Sequence, residues 1–158
     1  MSLAAFTTLH VIISLVAIAA GIVAFVAMAG GRHMAAMTAI FLATTILTSI
    51  TGFMFPPKPI GPPHIFGAIS LVALAVSLFA LYGRKLAGIW RPAYIVTAVL
   101  SLYLNAVVLV VQSFQKIPSL NVFAPTGSEP LFLAAQGVTL LLTVYLGVLA
   151  VRRYRLAL

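Results

Sequence analysis

Five long apolar runs constrain this chain more than any other feature of its sequence. The hydrocarbon core of a bilayer is about 30 Å thick, so a spanning α-helix needs roughly 20 consecutive apolar residues. Runs of this length cover about residues 3–29, 34–55, 64–82, 92–114 and 131–151. The segments between them are polar or rich in proline and glycine, which end helices. The sequence therefore predicts a single all-α domain over residues 1–158, folded as a bundle of five transmembrane helices.

The charge of the chain fits a membrane bundle better than a soluble domain. Charged residues make up 6% of the sequence, against about 25% in soluble domains. The nine Lys and Arg residues stand in short clusters between apolar runs. They do not cover a soluble face, so we do not expect nucleic-acid binding. The chain has no cysteine, which excludes disulfides, thiolate metal sites and iron–sulfur clusters.

The basic residues are unevenly divided between the two ends of the predicted bundle. With five spans, the first and third loops lie on the same side as the C-terminus. That side carries Arg32, Arg84, Lys85, Arg91, Arg152, Arg153 and Arg155. The other side carries only Lys58 and Lys116. Because cytoplasmic loops hold the excess of Lys and Arg, we expect the N-terminus outside and the C-terminus in the cytoplasm.

Aromatic residues support the same boundary. Amphipathic rings favour the membrane interface, and the predicted cytoplasmic boundary holds Tyr82, Trp90, Tyr94 and Tyr154. We interpret His33, beside Arg32, as one more boundary residue. The inner half of the bundle otherwise offers little polar chemistry, so we expect a functional site to open outward.

The fourth span carries a polar stripe. At 100° per residue, Ser101, Asn105, Gln112 and Lys116 fall within an arc of roughly 60°. Asn105 lies roughly 14 Å below the outer end of the helix at 1.5 Å per residue. An amide in hydrocarbon is costly unless a partner satisfies it. The stripe therefore indicates either hydrogen bonds between helices or a ligand-binding or pathway role.

Other spans place polar residues at a similar depth. Thr48 shares a face of the second span with Thr44 and Thr51, and threonine hydroxyls can bond the carbonyl four residues back. Gln136 shares a face of the fifth span with Thr139 and Thr143. Its amide needs a neighbour, for which Asn105, Gln112 or a water is available.

Two histidines fall toward the outer side. His10 lies in the first span, about 10 Å below the surface, with Ser14 one turn further on as an expected partner. It is either a structural residue or a ligand-binding or proton-handling one. His64 opens the third span and either rests at the interface or binds a metal. With Thr48, Asn105, Gln112 and Gln136, His10 forms the candidate outer pocket, while His10 and His64 are the candidate ligands of one haem b.

Glu129 is the only acidic residue of the chain. In the segment SEP, we expect Ser128 as the N-cap of the fifth span and Glu129 in its first turn, where a carboxylate favours the helix dipole. The alternative is an ion pair with Lys116. One acid excludes mechanisms that need paired carboxylates or two metal ions.

Three functions remain open. The first is a non-enzymatic module that binds a small or hydrophobic ligand in an outward pocket, or an accessory subunit that contacts another membrane protein or a second copy. The second is a redox protein that binds haem b or quinone through His10 and His64. The third, a small-solute transporter or channel, ranks lowest because a pathway needs polar groups through both halves.

A likeness to known proteins rests on four stretches, namely FLATTILTSITGFMFP, HIFGAISLVALAVSLFALYGR, YLNAVVLVVQSFQKIPSL and APTGSEPLF. Together they resemble a group of small bacterial inner-membrane proteins. The likeness covers most of the chain, and the combination of TGFMFP with APTGSEPLF is fairly specific. It implies a multi-pass protein of a bacterial cytoplasmic membrane and transfers no activity and no functional residues.

Overall fold

The computed structural model describes residues 2–56 and 59–154, which form helices and no strands, with 81% helix. Lys58 and Arg155, which enter the charge argument, lie outside the described residues. The long helices are α1 (Leu3–Ala29), α2 (Ala35–Phe53), α3 (Pro62–Leu78, continued by a π-helical turn at Phe79–Gly83), α4 (Trp90–Lys116) and α6 (Pro130–Arg153). A single turn, α5 (Pro118–Asn121), follows α4.

All five long helices are long and apolar enough to cross a membrane. Their ends differ from the predicted limits by no more than two residues. The prediction of five apolar helices is therefore confirmed, and the fold is that expected of a multi-pass helical membrane protein. The orientation of the bundle stays a prediction.

Local chemistry explains where the helices begin. The Ser2 hydroxyl accepts the Ala5 N–H at 3.2 Å and caps α1. Proline opens α3 and α6, where its missing N–H costs no helical hydrogen bond and its fixed φ already suits the helix.

Helix α4 is the centre of the bundle. It packs against each of the other long helices, which form an arc in the order α3, α2, α1 and α6 around it. Among the described residues, α3 and α6 do not touch each other. One side of α4 therefore faces outward between them.

The tightest packing lies in the half of the bundle that carries the clustered basic residues. Its core joins the second half of α1 to the first halves of α2 and α4 and to the ends of α3 and α6, through Phe25, Met28, Phe41, Leu74, Leu86, Tyr94 and Tyr154. The Tyr154 hydroxyl lies 2.9 Å from His33 Nδ1, which ties the end of α6 to the loop after α1. The basic residues of both loops and of the end of α6 thus share one end of the molecule, named here the basic end.

This core corrects the expectation for two of the four aromatic residues assigned to the membrane boundary. Tyr94 and Tyr154 are buried inside the protein, because neighbouring helices cover the rings that the sequence places near the boundary. Burial raises the pKa of Tyr154, so its hydroxyl stays protonated while it hydrogen-bonds His33. His33 therefore makes a tertiary contact, and its place at the membrane boundary stays a prediction.

The half of the bundle at the basic end, predicted to be the inner half, also holds more polar chemistry than expected. Ser77 and Thr97 hydroxyls lie 2.7 Å apart across α3 and α4. The Tyr94 hydroxyl and Thr38 Oγ1 are buried with no hydrogen-bond partner among the described residues. The expectation of an inner half with little beyond boundary charges was wrong, because hydroxyl groups scattered over separate helices meet only after folding.

Candidate functional site

The clearest polar cluster in the half opposite the basic end joins α1 to α2 at His10. His10 Nδ1 lies 2.7 Å from the Thr51 hydroxyl oxygen. Thr51 donates its own proton to the Leu47 carbonyl at 2.7 Å. A hydroxyl has one proton to give, so Thr51 accepts from His10 and the neutral imidazole carries its proton on Nδ1. The lone pair of Nε2 is then left for another group.

Apolar and polar neighbours complete this cluster. The Phe55 ring meets the His10 ring edge-on, with centroids 5.1 Å apart, and Phe6 packs on Phe55 at 4.9 Å. Ser14 donates to the His10 carbonyl at 2.8 Å and lies 3.4 Å from Thr48 Oγ1. Ser14 was expected as the partner of the His10 ring. That expectation was wrong, because the serine hydroxyl bonds its own helix and Thr51 reaches the ring from α2.

The threonine faces behave largely as expected. Thr44, Thr51, Thr139 and Thr143 each donate to a carbonyl four residues back. Thr48 is approached by Ser14 from the neighbouring helix. Of the candidate pocket residues, the structure therefore brings His10 and Thr48 into one cluster.

The three amide residues do not satisfy one another. Gln136 Nε2 lies 3.5 Å from the Val107 carbonyl, so it reaches the backbone of α4 and none of the expected side chains. Asn105 Nδ2, Gln112 Oε1 and Gln136 Oε1 are buried without a hydrogen-bond partner among the described residues. Each such atom costs about 1–3 kcal/mol if nothing pairs with it. The predicted pairing of Gln136 with Asn105 or Gln112 is not formed.

His64 stands apart from the His10 cluster and is fixed in the opposite tautomer. Its Nδ1 accepts the Gly61 N–H at 3.3 Å in the first turn of α3, so a neutral ring carries its proton on Nε2. The Phe53 ring packs beside it, with centroids 5.9 Å apart. Ligation of iron through Nε2 is compatible with the tautomer of His10, whereas His64 would first have to give up its bond from Gly61. The His10–His64 haem pair stays a prediction that requires a change at His64.

The Glu129 side chain hydrogen-bonds residues of the loop that precedes α6. It is itself the N-cap of α6, one residue later than expected, because its carboxylate folds back onto the preceding turn. That carboxylate accepts the Thr126 hydroxyl at 2.7 Å, the Thr126 N–H at 2.9 Å and the Ser128 N–H at 3.0 Å. These bonds, that from the Thr126 hydroxyl first, lower the pKa of Glu129 to about 2. Its partners lie in its own loop, so the alternative pairing with Lys116 is not formed.

These features define a class: an all-helical protein with five apolar helices of membrane-spanning length and a histidine-centred polar cluster between α1 and α2. Comparison with family models, curated proteins and solved structures finds no match for the chain. We therefore infer function from the geometry of the residues themselves.

Proposed function

We propose that this protein is a multi-pass membrane protein that binds a small, largely apolar molecule through His10. The observation that carries the proposal is the hydrogen bond from His10 Nδ1 to Thr51, which leaves the Nε2 lone pair available as an acceptor. A ligand that carries one hydroxyl or N–H group and an otherwise apolar body would match this acceptor and the neighbouring rings of Phe6 and Phe55.

The buried amides support binding in the same half of the bundle. Asn105 offers an unused donor, and Gln112 and Gln136 offer unused acceptors. Buried polar groups normally have partners, and bound water or a polar ligand group would supply them. They do not touch His10 directly, so we assign them to an extension of the pocket toward α4 and α6 and keep His10 and Thr48 as its centre.

We place the protein in a bacterial cytoplasmic membrane with its N-terminus outside. The orientation rests on the excess of Lys and Arg at the basic end, and the bacterial membrane rests on the resemblance described above. The pocket would then open to the outer side. Reactivity of single cysteines at Ser119, exposed in α5, and at Lys85, exposed in the turn after α3, tests this in a chain that has no native cysteine. Impermeant reagent should label the first in intact cells, and labelling of Lys85→Cys alone would reverse the orientation.

A redox role is the second proposal, and one observation favours it. The lone pair of His10 Nε2, left unused by the bond to Thr51, is a suitable acceptor for the hydroxyl of a quinol. A haem b bound by His10 and His64 requires the His64 ring to leave Gly61 first, which makes the reduced, quinol form of a quinone the better-supported ligand. Two further proposals are that the protein is an accessory subunit or a small-solute transporter. No contact among the described residues specifically supports either one.

The test is mass spectrometry of small molecules that copurify with the full chain in a mild detergent, with an absorption spectrum of the same sample. We expect an apolar molecule with a donor group, retained by the wild type and by His33→Ala but lost in His10→Ala. Loss in both variants points to general unfolding, which a thermal melt identifies. Equal retention by all three proteins, or no bound molecule in the wild type, contradicts the proposal. A Soret band that is present in the wild type and abolished by His10→Ala would instead support haem b as the ligand of His10.

A further inference from the structure

An apolar groove runs between α4 and α6 on the side of the bundle that α3 leaves open. It encloses about 500 Å³, within the usual range of small-molecule sites. Its walls include Val96, Val99 and Tyr103 on α4, with Val144 and Val148 on α6. The groove lies in the half opposite to His10 and does not depend on the function proposed above.

Most of the wall is aliphatic. Thr143, the lining hydroxyl of α6, donates to the Thr139 carbonyl at 2.7 Å, and the other polar lining groups are the Tyr103 hydroxyl and the Arg152 guanidinium. Gly147 keeps the two helices close, since a Cβ there would lie 3.3 Å from the Val99 side chain. The groove is therefore a closely built trough that suits a flexible hydrocarbon chain.

Positive charge marks one end of this trough. Arg152, exposed in the last turn of α6, completes the lining, and Arg91 stands one turn beyond the lining residue Ile95 on the same face of α4. The only Asp or Glu of the chain, Glu129, lies at the opposite end of α6. From Leu140 to Arg152 the groove extends roughly 18 Å at 1.5 Å per residue, close to the thickness of one leaflet, about 15 Å.

We propose that the α4–α6 groove is a binding site for an anionic phospholipid of the leaflet at the basic end. One acyl chain lies along the groove, and the phosphate of the headgroup pairs with Arg152. The site combines an apolar trough one leaflet long with a positive charge at one end. These two features fit an amphiphile with a negatively charged headgroup. A guanidinium is well suited to that contact because its planar donors match phosphate oxygens.

The test is native mass spectrometry of the full chain in detergent, titrated with phosphatidylglycerol or with phosphatidylcholine of the same acyl chains. We expect the wild type to retain phosphatidylglycerol at least fivefold better. Arg152→Gln should reduce that preference about fivefold, the effect of one basic residue near a headgroup. Arg153→Gln, its neighbour outside the groove lining, should leave the preference unchanged.

A second pair of variants tests the groove itself. Val144→Trp fills the trough from its exposed wall and should reduce retention of phosphatidylglycerol at least fivefold. Leu141→Trp, on the same helix but outside the lining, should have no such effect. Equal retention of both lipids, an effect of Arg153→Gln equal to that of Arg152→Gln, or full retention in Val144→Trp would overturn the proposal. So would a dimer that Val144→Trp alone dissociates, since a second copy would then be the occupant.

Discussion

At the scale of single residues, the hydrogen bond between His10 and Thr51 is the contact that the proposed function needs most. Thr51→Val should leave His10 Nδ1 without a partner and cost about 1–2 kcal/mol of unfolding free energy. Thermal unfolding in detergent measures the loss, and the ¹⁵N shifts of the imidazole should show that the proton is no longer confined to Nδ1.

Thr44→Val is the matched control for this change. Its hydroxyl bonds only carbonyls of its own helix, so the same substitution should change stability by less than about 0.5 kcal/mol. An equal loss in the two variants, with unchanged imidazole shifts, would contradict the tautomer assigned to His10.

Glu129 gives the loop before α6 a defined response to acid. Its pKa falls from 4.5 to about 2 on folding, so the carboxylate stabilises the loop above pH 4.5, and this stabilisation is lost as the pH falls toward 2. We expect the protection factors of the Thr126 and Ser128 amides, which compare measured exchange with intrinsic exchange at each pH, to fall over that window. In Glu129→Gln this fall should be absent. An equal fall in both proteins would rule out Glu129 as the cause.

The candidate residues illustrate which contacts a sequence reveals. His10 was identified from its place in an apolar run, because an ionisable group there is rare and conspicuous. Its hydrogen-bond partner was not identified. Ser14 is close to His10 in sequence, whereas Thr51 comes close to it only when α1 and α2 pack together. For the same reason, the angular position of Asn105 on α4 predicts a buried amide but not that its donor is left without a partner.

At the scale of elements, the turn after α3 carries local strain. Lys85 and Leu86 have φ values of 47° and 57°, in the left-handed region that costs an L-residue roughly 1–2 kcal/mol. This turn places Leu86 in the core, where its N–H bonds the Ala80 carbonyl at 2.9 Å. The strain is therefore offset by burial of one leucine.

Two glycine substitutions separate the strain from the burial. Lys85→Gly should raise the unfolding free energy by about 0.5–1 kcal/mol, because it relieves strain at an exposed side chain. Leu86→Gly relieves the same strain but removes a buried side chain, and should lower stability by about 2 kcal/mol or more. Thermal melts of both variants provide the comparison, and destabilisation by Lys85→Gly would show that its backbone conformation is not strained.

Helices were the most predictable elements, and irregular backbone was the least. Apolar runs bounded by proline and glycine locate the helices because spanning length and backbone hydrogen bonding leave few alternatives. Neither the π-helical turn at Phe79–Gly83 nor the single turn Pro118–Asn121 has such a pattern. The π-helical turn lies where α3 ends and the chain returns Leu86 to the core. This requirement comes from tertiary packing, so no local residue pattern predicts it.

At the scale of the whole molecule, the sequence predicts five helices but not their arrangement. Apolar helices in lipid have no hydrophobic preference for one neighbour, so close fit decides which of them meet. The central place of α4 and the open side between α3 and α6 depend on such fits. Gly21 provides one of them, because a Cβ on it would lie 2.8 Å from the Phe41 ring and 2.9 Å from Leu102.

Gly21 therefore holds α1, α2 and α4 together by being small. Gly21→Ala should destabilise the bundle by about 1–3 kcal/mol through overpacking, which outweighs the gain in helix propensity of about 1 kcal/mol. Gly137→Ala is the control, since nothing lies within 4 Å of its Cβ position, and it should be neutral or slightly stabilising. Unfolding of both variants in the same detergent measures the difference. If the two alanines behave alike, the three helices do not depend on close contact at Gly21, and the central position of α4 needs another cause.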